Sequence, residues 1–460
     1  MANQNILTYN AKVAQSEQTY FAPIALVDGQ PISTIYCFLS QVDPWPNEIT
    51  PTVPTQDQAY LKKVFKSMFV AKQVTSNQIS PVTQRINWNT GVTYDYYQDN
   101  VDMFALDSSG SLIKKFYVKN KYDQVFKCLW NYNGAPSTNE PYFQPGSYGT
   151  DNIFQSSDGY KWKYMYTIDT GTKQLFLDDT WMPVPVGANT PNPVQTNAGY
   201  GDLEAINVIS PGSGYDPANT VVTVSITGDG TGASATPVIS NGQITDVIVT
   251  NPGSNYSIAT VSIVSSNTSM GSGAVVVAPT SPIGGHSFDP VSELGCNHVM
   301  ITCQFSGSES LNGIDYVPTD IDYRQVGLIV NPFAYAGNTA TIADGPIYKV
   351  CTELVVSSGF KQFVSDEIFY QGASLATATF TGTVLSFNTS TNVIKVINTT
   401  GTYTVNAPVF GVSSGTIRTL FSVSTPTFIP FSGYLSYIEN RAGVQRSSDG
   451  IEQFKFVLGF

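Results

Sequence analysis

Apolar and polar positions along this chain follow mostly the two-residue period of half-buried strands. In Tyr160-Lys161-Trp162-Lys163-Tyr164-Met165-Tyr166 the aromatic rings fall on one face, while Lys161 and Lys163 fall on the other. The last stretch, Glu452–Phe460, alternates in part, and such an apolar end docks into a sheet rather than fraying. Thr, Ser, Val, Tyr and Phe dominate between turn residues that recur roughly every 8–12 positions, a pattern of antiparallel sandwiches and barrels. One segment keeps the helical period. Leu61, Val64, Phe65, Met68 and Phe69 share a stripe, with Lys62, Lys63 and Lys66 between them. Pro54 precedes it, and Thr55 with Gln58 reads as a capping box, Thr55 as N-cap. The pattern predicts a helix near 56–70. The expected fold class is all-β, mainly antiparallel sandwich or barrel modules with one or two short helices, in several domains.

Two segments break the pattern by composition. Residues 201–283 are rich in Gly, Ser, Thr and Val and nearly free of Lys and Arg. They hold a repeat at an offset of 41: Ile206–Tyr215 resembles Val247–Tyr256, and Gly232-Ala233 resembles Gly273-Ala274. Pro-Gly-Ser-Gly/Asn-Tyr reads as a turn with an anchoring aromatic, and two copies are too few for a solenoid. Residues 372–421 carry only Lys395 and Arg418 as charges and read as a small β-barrel or β insertion. Long insertions cost little closure entropy. The expected organisation is a core at 1–200, an inserted module at 201–283, more core at 284–371, a second insert at 372–421, and strands at 422–460 that complete the core.

Charge narrows the functions. The chain has 460 residues, of which 12% are charged and 42% hydrophobic, with a net charge of −12. Few charges and many aromatics argue against disorder and coiled coils. The densest basic stretches, Lys62-Lys63-x-x-Lys66 and Lys114-Lys115-x-x-x-Lys119-x-Lys121, are not a phosphate-binding patch, so no nucleic acid is expected. No apolar run approaches the length of a membrane span, so no membrane insertion is expected. Met1–Asn5 lacks the basic and apolar regions of a leader. Cys37, Cys128, Cys296, Cys303 and Cys351 form no CxxC and read as buried free thiols of a cytoplasmically made protein.

Candidate chemistry is sparse. His286 and His298 are the two histidines, and both read as structural. Cys296-x-His298 with Cys303 lacks the spacing and ligand count of a zinc site. Gly411-Val412-Ser413-Ser414-Gly415 matches GxSxG, but no histidine follows it and its context is β. Asp178-Asp179 and Asp320-x-Asp322 are the carboxylate pairs a glycosidase would need. The expectation is no enzyme, no cofactor and no metal.

Several stretches, in order, resemble one family. They are Asp43-Pro44-Trp45-Pro46; Arg85-Ile86-Asn87-Trp88 with Tyr94-Asp95-Tyr96-Tyr97; Phe126–Leu129; Asp158-Gly159-Tyr160-Lys161-Trp162-Lys163-Tyr164; Tyr323-Arg324 through Asn331-Pro332; and Tyr437-Ile438-Glu439-Asn440-Arg441. The series is similar to the baseplate wedge protein of T-even-type contractile-tailed phages, the gene-product-eight family. The segments at 201–283 and 372–421 depart from that family's pattern.

The resemblance implies a non-enzymatic virion subunit of the tail baseplate. It implies a homodimer within each wedge, with other wedge subunits and fibre or peripheral baseplate proteins as partners. The signature residues are then structural. Asp43-Pro44-Trp45 turns the chain and plugs the core with Trp45, and Arg85 and Arg324 pair with carboxylates or strand-end carbonyls. Glu439 and Arg441, two apart, share one side of a strand. A rival reading is a receptor-binding, adhesin-type virion protein that recognises host glycans through Tyr215 and Tyr256. A third is a carbohydrate-active enzyme that uses Asp320 and Asp322.

Overall fold

The computed structural model describes residues 8–23, 26–27, 30–31, 33–41, 43–145, 152–186, 195, 197–267, 270–306, 317–447 and 450–460. The leader reading at Met1–Asn5 lies outside them. The fold is mostly antiparallel β with short helices. The chain forms two compact units, each discontinuous in sequence: Met1–Gln18, Ser80–Met300 and Val457–Phe460 in the first, Thr19–Ile79 and Ile301–Phe456 in the second.

Helices are more numerous than the apolar stripes suggest: α1 (Tyr9–Phe21), α2 (Gln58–Ser67), α3 (Thr170–Phe176) and α4 (Pro290–Glu293). Sequence YNAKVAQSEQTYF gives α1 a weak stripe; it is held by Val13 in the core and by Ser16 Oγ donating to Cys296 O at 2.6 Å. The capping box assigned to α2 is displaced. Asp57 is the N-cap, its carboxylate accepting Tyr60 N–H at 2.9 Å, and Thr55 Oγ1 donates to the same carboxylate at 2.5 Å. Met68 and Phe69 do not continue α2 but open strand Met68–Val74, where both are buried. The run Met68–Ala71 is apolar on every residue, which suits a strand covered on both faces.

In the first unit, a four-stranded sheet runs Tyr117–Lys119, Gln124–Trp130, Lys161–Thr167, Ile153–Gln155 in spatial order. Tyr160, Trp162 and Tyr164 pack with Tyr94, Phe126 and Phe143 on one face. Tyr166 leaves that face. A register shift against Val125 and Phe126 makes Met165 a bulge and sends Tyr166 into a second core with Phe116, Tyr117 and Leu294.

The repeat builds one interleaved module. Strands Asn207–Ser213, Val222–Gly228 and Ser234–Ser240 come from the first copy, and Gln243–Asn251, Ala259–Ser265 and Ser272–Val277 from the second. Every ladder joins one copy to the other: first strand to last, middle to middle, last to first. Gly212 (φ +61°) abuts Ala274 and Gly253 (φ +72°) abuts Ala233, so that a Cβ on either would sit 2.5 Å from the facing backbone nitrogen. Tyr215 packs on Gly271 and Tyr256 on Gly230, again across copies.

The second unit holds a five-stranded sheet in the order Ile347–Lys349, Met68–Val74, Ile35–Ser40, Ile321–Val330, Tyr434–Arg446. Val64 of α2 covers it with Tyr36, Phe38, Ile329 and Phe428. A closed six-stranded barrel follows the order Thr352–Val356, Val393–Gly401, Phe380–Asn388, Ile368–Gln371, Pro408–Gly411, Ile417–Ser424. It therefore begins before the composition shift at 372. Leu354, Phe369, Val384, Val396, Val409 and Leu420 fill its interior, so it is a packed core rather than a pore.

Candidate functional site

The residues nominated for chemistry occupy structural positions. Asp178 Oδ1 accepts Thr180 N–H and Trp181 N–H at 2.8 and 2.7 Å, a turn, and Asp179 lies 3.6 Å from Arg85. Asp320 sits at φ +56° with its N–H on Arg446 O, and Asp322 lies 3.9 Å from Arg324. The GxSxG stretch is a hairpin turn between two barrel strands. Ser413 N–H and Ser414 N–H both donate to Glu367, and Ser414 Oγ donates to its other oxygen at 2.9 Å. All five cysteines are free and buried, and burial pushes the thiols of Cys37, Cys128 and Cys296 up. Among the described residues no group of three His, Cys, Asp or Glu side chains could hold a metal ion. No helix among them is long and apolar enough to cross a membrane.

The signature residues gather into two clusters, one in each unit. In the first, Asp158 holds a tight turn: its carboxylate accepts Ser137 Oγ, Thr138 N–H, Asn139 N–H and Ser156 Oγ at 2.5–3.0 Å. Burial alone would raise its pKa, but these donors outweigh that and lower it. Gly159 (φ +88°) leaves no room for a side chain, since a Cβ would sit 2.6 Å from the Tyr132 ring. Tyr160 stacks on Trp162 at 5.4 Å and donates to Ala135 O at 2.5 Å, while Trp88 Nε1 donates to Ser137 Oγ at 3.0 Å. Tyr164 stacks on Phe143 at 3.9 Å. Arg85 donates to Asp178 O at 2.5 Å.

In the second unit, residues 43–57 form a strap along the edge strand Tyr434–Arg446. Trp45 Nε1 donates to Arg441 O at 2.7 Å, Gly443 N–H to Glu48 at 2.9 Å, and Asn440 Nδ2 to Thr52 O at 2.8 Å. The strap thus partners main-chain groups that an edge strand otherwise leaves open. Trp45 is half-buried in this strap and does not plug the core. Asp43 is exposed and pairs with Lys63 at 2.7 Å. Asn440 Oδ1 accepts from Tyr60 Oη and Gln325 Nε2 at 2.8 and 2.7 Å. Arg324, nearly buried, meets Glu48 at 3.0 Å and Asp366 at 3.4 Å. Glu439 and Arg441 share a side and pair with each other at 2.7 Å. Asn331 (φ +50°) accepts Thr34 N–H at 2.8 Å, and Pro332 O accepts Ala343 N–H at 2.8 Å.

Sequence reasoning missed a row of three buried lysines on the far face of the first unit's sheet. Lys127 pairs with Glu293 of α4 at 2.9 Å, Lys163 with Glu204 at 2.6 Å, and Lys161 with Asp246 at 2.8 Å. Lys127 also donates to His286 Nδ1 at 3.0 Å and lies 4.0 Å from the Tyr97 ring centre. Burial and the Lys127 charge push His286 down to about 3, so the ring is neutral. The signal was in the sequence: from residue 174 to 323 there is no Lys or Arg, so buried acids of that stretch need cations from elsewhere. His298 packs on Trp181 at 4.4 Å between ring centres.

The barrel presents a different surface. Tyr370, Phe410 and Ile417 form one outward row across three neighbouring strands, with Ile368 and Val412 beside it. Tyr370 and Phe410 stack at 5.0 Å, Ile417 is 63% exposed, and none of the five residues is charged. Phe360, on the loop after the first barrel strand, is fully exposed. Tyr215 and Tyr256, by contrast, are 4% and 6% exposed, so neither ring offers a stacking platform. No family model and no curated protein matches this sequence.

Proposed function

We propose that this chain is a structural subunit of a phage tail baseplate wedge. It would dimerise and hold neighbouring wedge subunits around the tail-tube hub, in the virion. The observation that carries the reading is the uncharged outward face Ile368, Tyr370, Phe410, Val412, Ile417 on a rigid, filled barrel. Contiguous exposed apolar surface without Lys, Asp or Glu is what an assembly interface presents. The signature residues favour the same reading, because they engage straps, turns and strand edges. The motif order behind the family resemblance supplies the rest.

Quantitative mass spectrometry of purified particles, with density for the tail end, tests it. A copy number that is a multiple of six, in pairs around the hub, is the expected result. Copies in threes at fibre tips would move the function to host-glycan recognition. Absence from the particle would overturn both.

A further inference from the structure

In the second unit, strand Ile35–Ser40 connects to α2 through residues 43–57, which carry no regular secondary structure. Connections longer than about 12–15 residues without structure of their own are uncommon and usually functional. Both ends of the strap are fixed. Gln41 N–H donates to Ser67 O at 3.2 Å, and Asp57 caps α2. Between these points it sits lightly on the sheet. None of its residues is buried. Trp45, Glu48, Pro51 and Pro54 are half-buried, while Ile49 and Val53 are 89% and 83% exposed.

Among the described residues, every hydrogen bond from the strap to the sheet has a side chain at one end. Glu48 makes two of them, accepting Gly443 N–H at 2.9 Å and Arg324 Nε at 3.0 Å. It also accepts Trp45 N–H at 3.2 Å, beside the indole that reaches Arg441 O. The edge strand receives these bonds at a bulge. Its ladder pairs Val444 with Tyr323 and resumes at Asn440 with Gln325, so Arg441–Gly443 lie outside the register. Lifting the strap strands little. Ala442 and Gly443 are exposed already, so their main chain passes to water. Arg324 keeps Asp366 at 3.4 Å and Asp322 at 3.9 Å, so its charge is not left bare.

We propose that residues 43–57 are a clasp that opens and closes on an otherwise intact second unit, with Glu48 as its latch. Closed, the clasp covers the bulge of the edge strand; open, it leaves Arg441–Gly443 and Arg324 facing solvent. A segment with few buried contacts opens at a small fraction of the free energy of global unfolding. Glu48 is the latch because one carboxylate ties the strap to a main-chain N–H and to a guanidinium, both through charge-assisted bonds. The inference does not depend on the baseplate reading.

Amide hydrogen exchange of the full-length protein, resolved to single residues and repeated across a urea series, tests it. The Gly443 amide should exchange about a hundredfold faster than those of Val326 and Leu328 in the neighbouring inner strand. Its rate should depend little on urea, because the opening exposes little surface. Glu48→Gln removes the charge from the latch and should speed Gly443 exchange roughly tenfold, leaving Val326 and Leu328 unchanged. A urea slope at Gly443 equal to that of Val326 and Leu328 would mean that the strap leaves only on global unfolding, and would overturn the proposal. A Gly443 amide with no protection in the parent would overturn it too, since no closed clasp would then exist. So would a Glu48→Gln protein in which Gly443 is no faster, or in which Val326 and Leu328 speed up equally. The urea slope of the parent decides the matter even if Glu48→Gln misfolds.

Discussion

Removing the negative charge of Glu293 should strand a lysine in the interior of the first unit. Lys127 and Glu293 side chains are 0% and 3% exposed, and the Nζ–Oε2 distance is 2.9 Å. Burial already holds the Lys127 ammonium below its ordinary pKa, and the Glu293 charge opposes that shift. Glu293→Gln keeps the shape and takes away the opposition. Breaking one side of a buried pair costs about 3–5 kcal/mol. An independent route gives a similar figure: deprotonating a lysine of ordinary pKa at pH 7.4 costs about 4 kcal/mol. The deficit has a signature in pH. A lysine neutral in the fold and charged when unfolded makes stability rise with pH, by about 1.4 kcal/mol per unit up to its ordinary pKa. Urea unfolding followed by tryptophan fluorescence suits the measurement, because Trp88, Trp130, Trp162 and Trp181 lie in the first unit and only Trp45 lies in the second. The midpoint should fall by roughly 1 M at pH 7.4 and recover toward pH 9. Lys127→Met combined with Glu293→Gln should return to within about 1 kcal/mol of the parent, since removing both charges relieves the penalty. A Glu293→Gln protein within about 1 kcal/mol of the parent, with no pH-dependent difference, would refute this account of the pair.

His286 is neutral in the fold down to about pH 3, whereas its unfolded form takes a proton near 6.5. Its contribution is therefore complete above pH 6.5 and lost on acidification, by about 1.4 kcal/mol per unit; Glu293, whose pKa is lowered, adds loss of the same sign below its ordinary range. His286→Gln should flatten the slope of unfolding free energy between pH 6 and pH 4, read by urea titration at each pH. Gly212→Ala and Gly253→Ala meet equivalent backbone clashes, so each should destabilise the interleaved module by more than about 1 kcal/mol, and by similar amounts, in amide hydrogen exchange of residues 207–277. Asn440→Ala removes the acceptor shared by Tyr60 and Gln325 and the donor to Thr52 O, and should lower stability by about 1–3 kcal/mol in a thermal scan of the second unit.

Elements set by local pattern were readable from the chain. The strand at Lys161–Thr167 and α2 up to Ser67 both follow from spacing within a few residues. What escaped depends on distant segments. The Met165 bulge is imposed by the partner strand, and α1 by the core around Cys296. Lys161 and Lys163 stand opposite the aromatic face as alternation requires, but alternation alone suggests solvent there. Their burial comes from Glu204 and Asp246, some 40 and 85 positions further on. The strap along Tyr434–Arg446 joins residues nearly 400 positions apart, and its Pro- and Thr-rich sequence has neither the helical nor the strand period. The repeat was visible at its offset of 41, yet a repeat does not reveal whether its copies fold beside each other or through each other.

That they fold through each other has a bearing on biogenesis. Among the described residues no ladder closes within a copy, so the first copy leaves the ribosome with all three of its strands unpartnered. Its last strand finds its partner once Asn251 is made and its middle strand once Ser265 is made; its first strand waits until Val277, several seconds at usual synthesis rates of about 5–20 residues per second. During that interval its open strands can pair with those of another nascent chain.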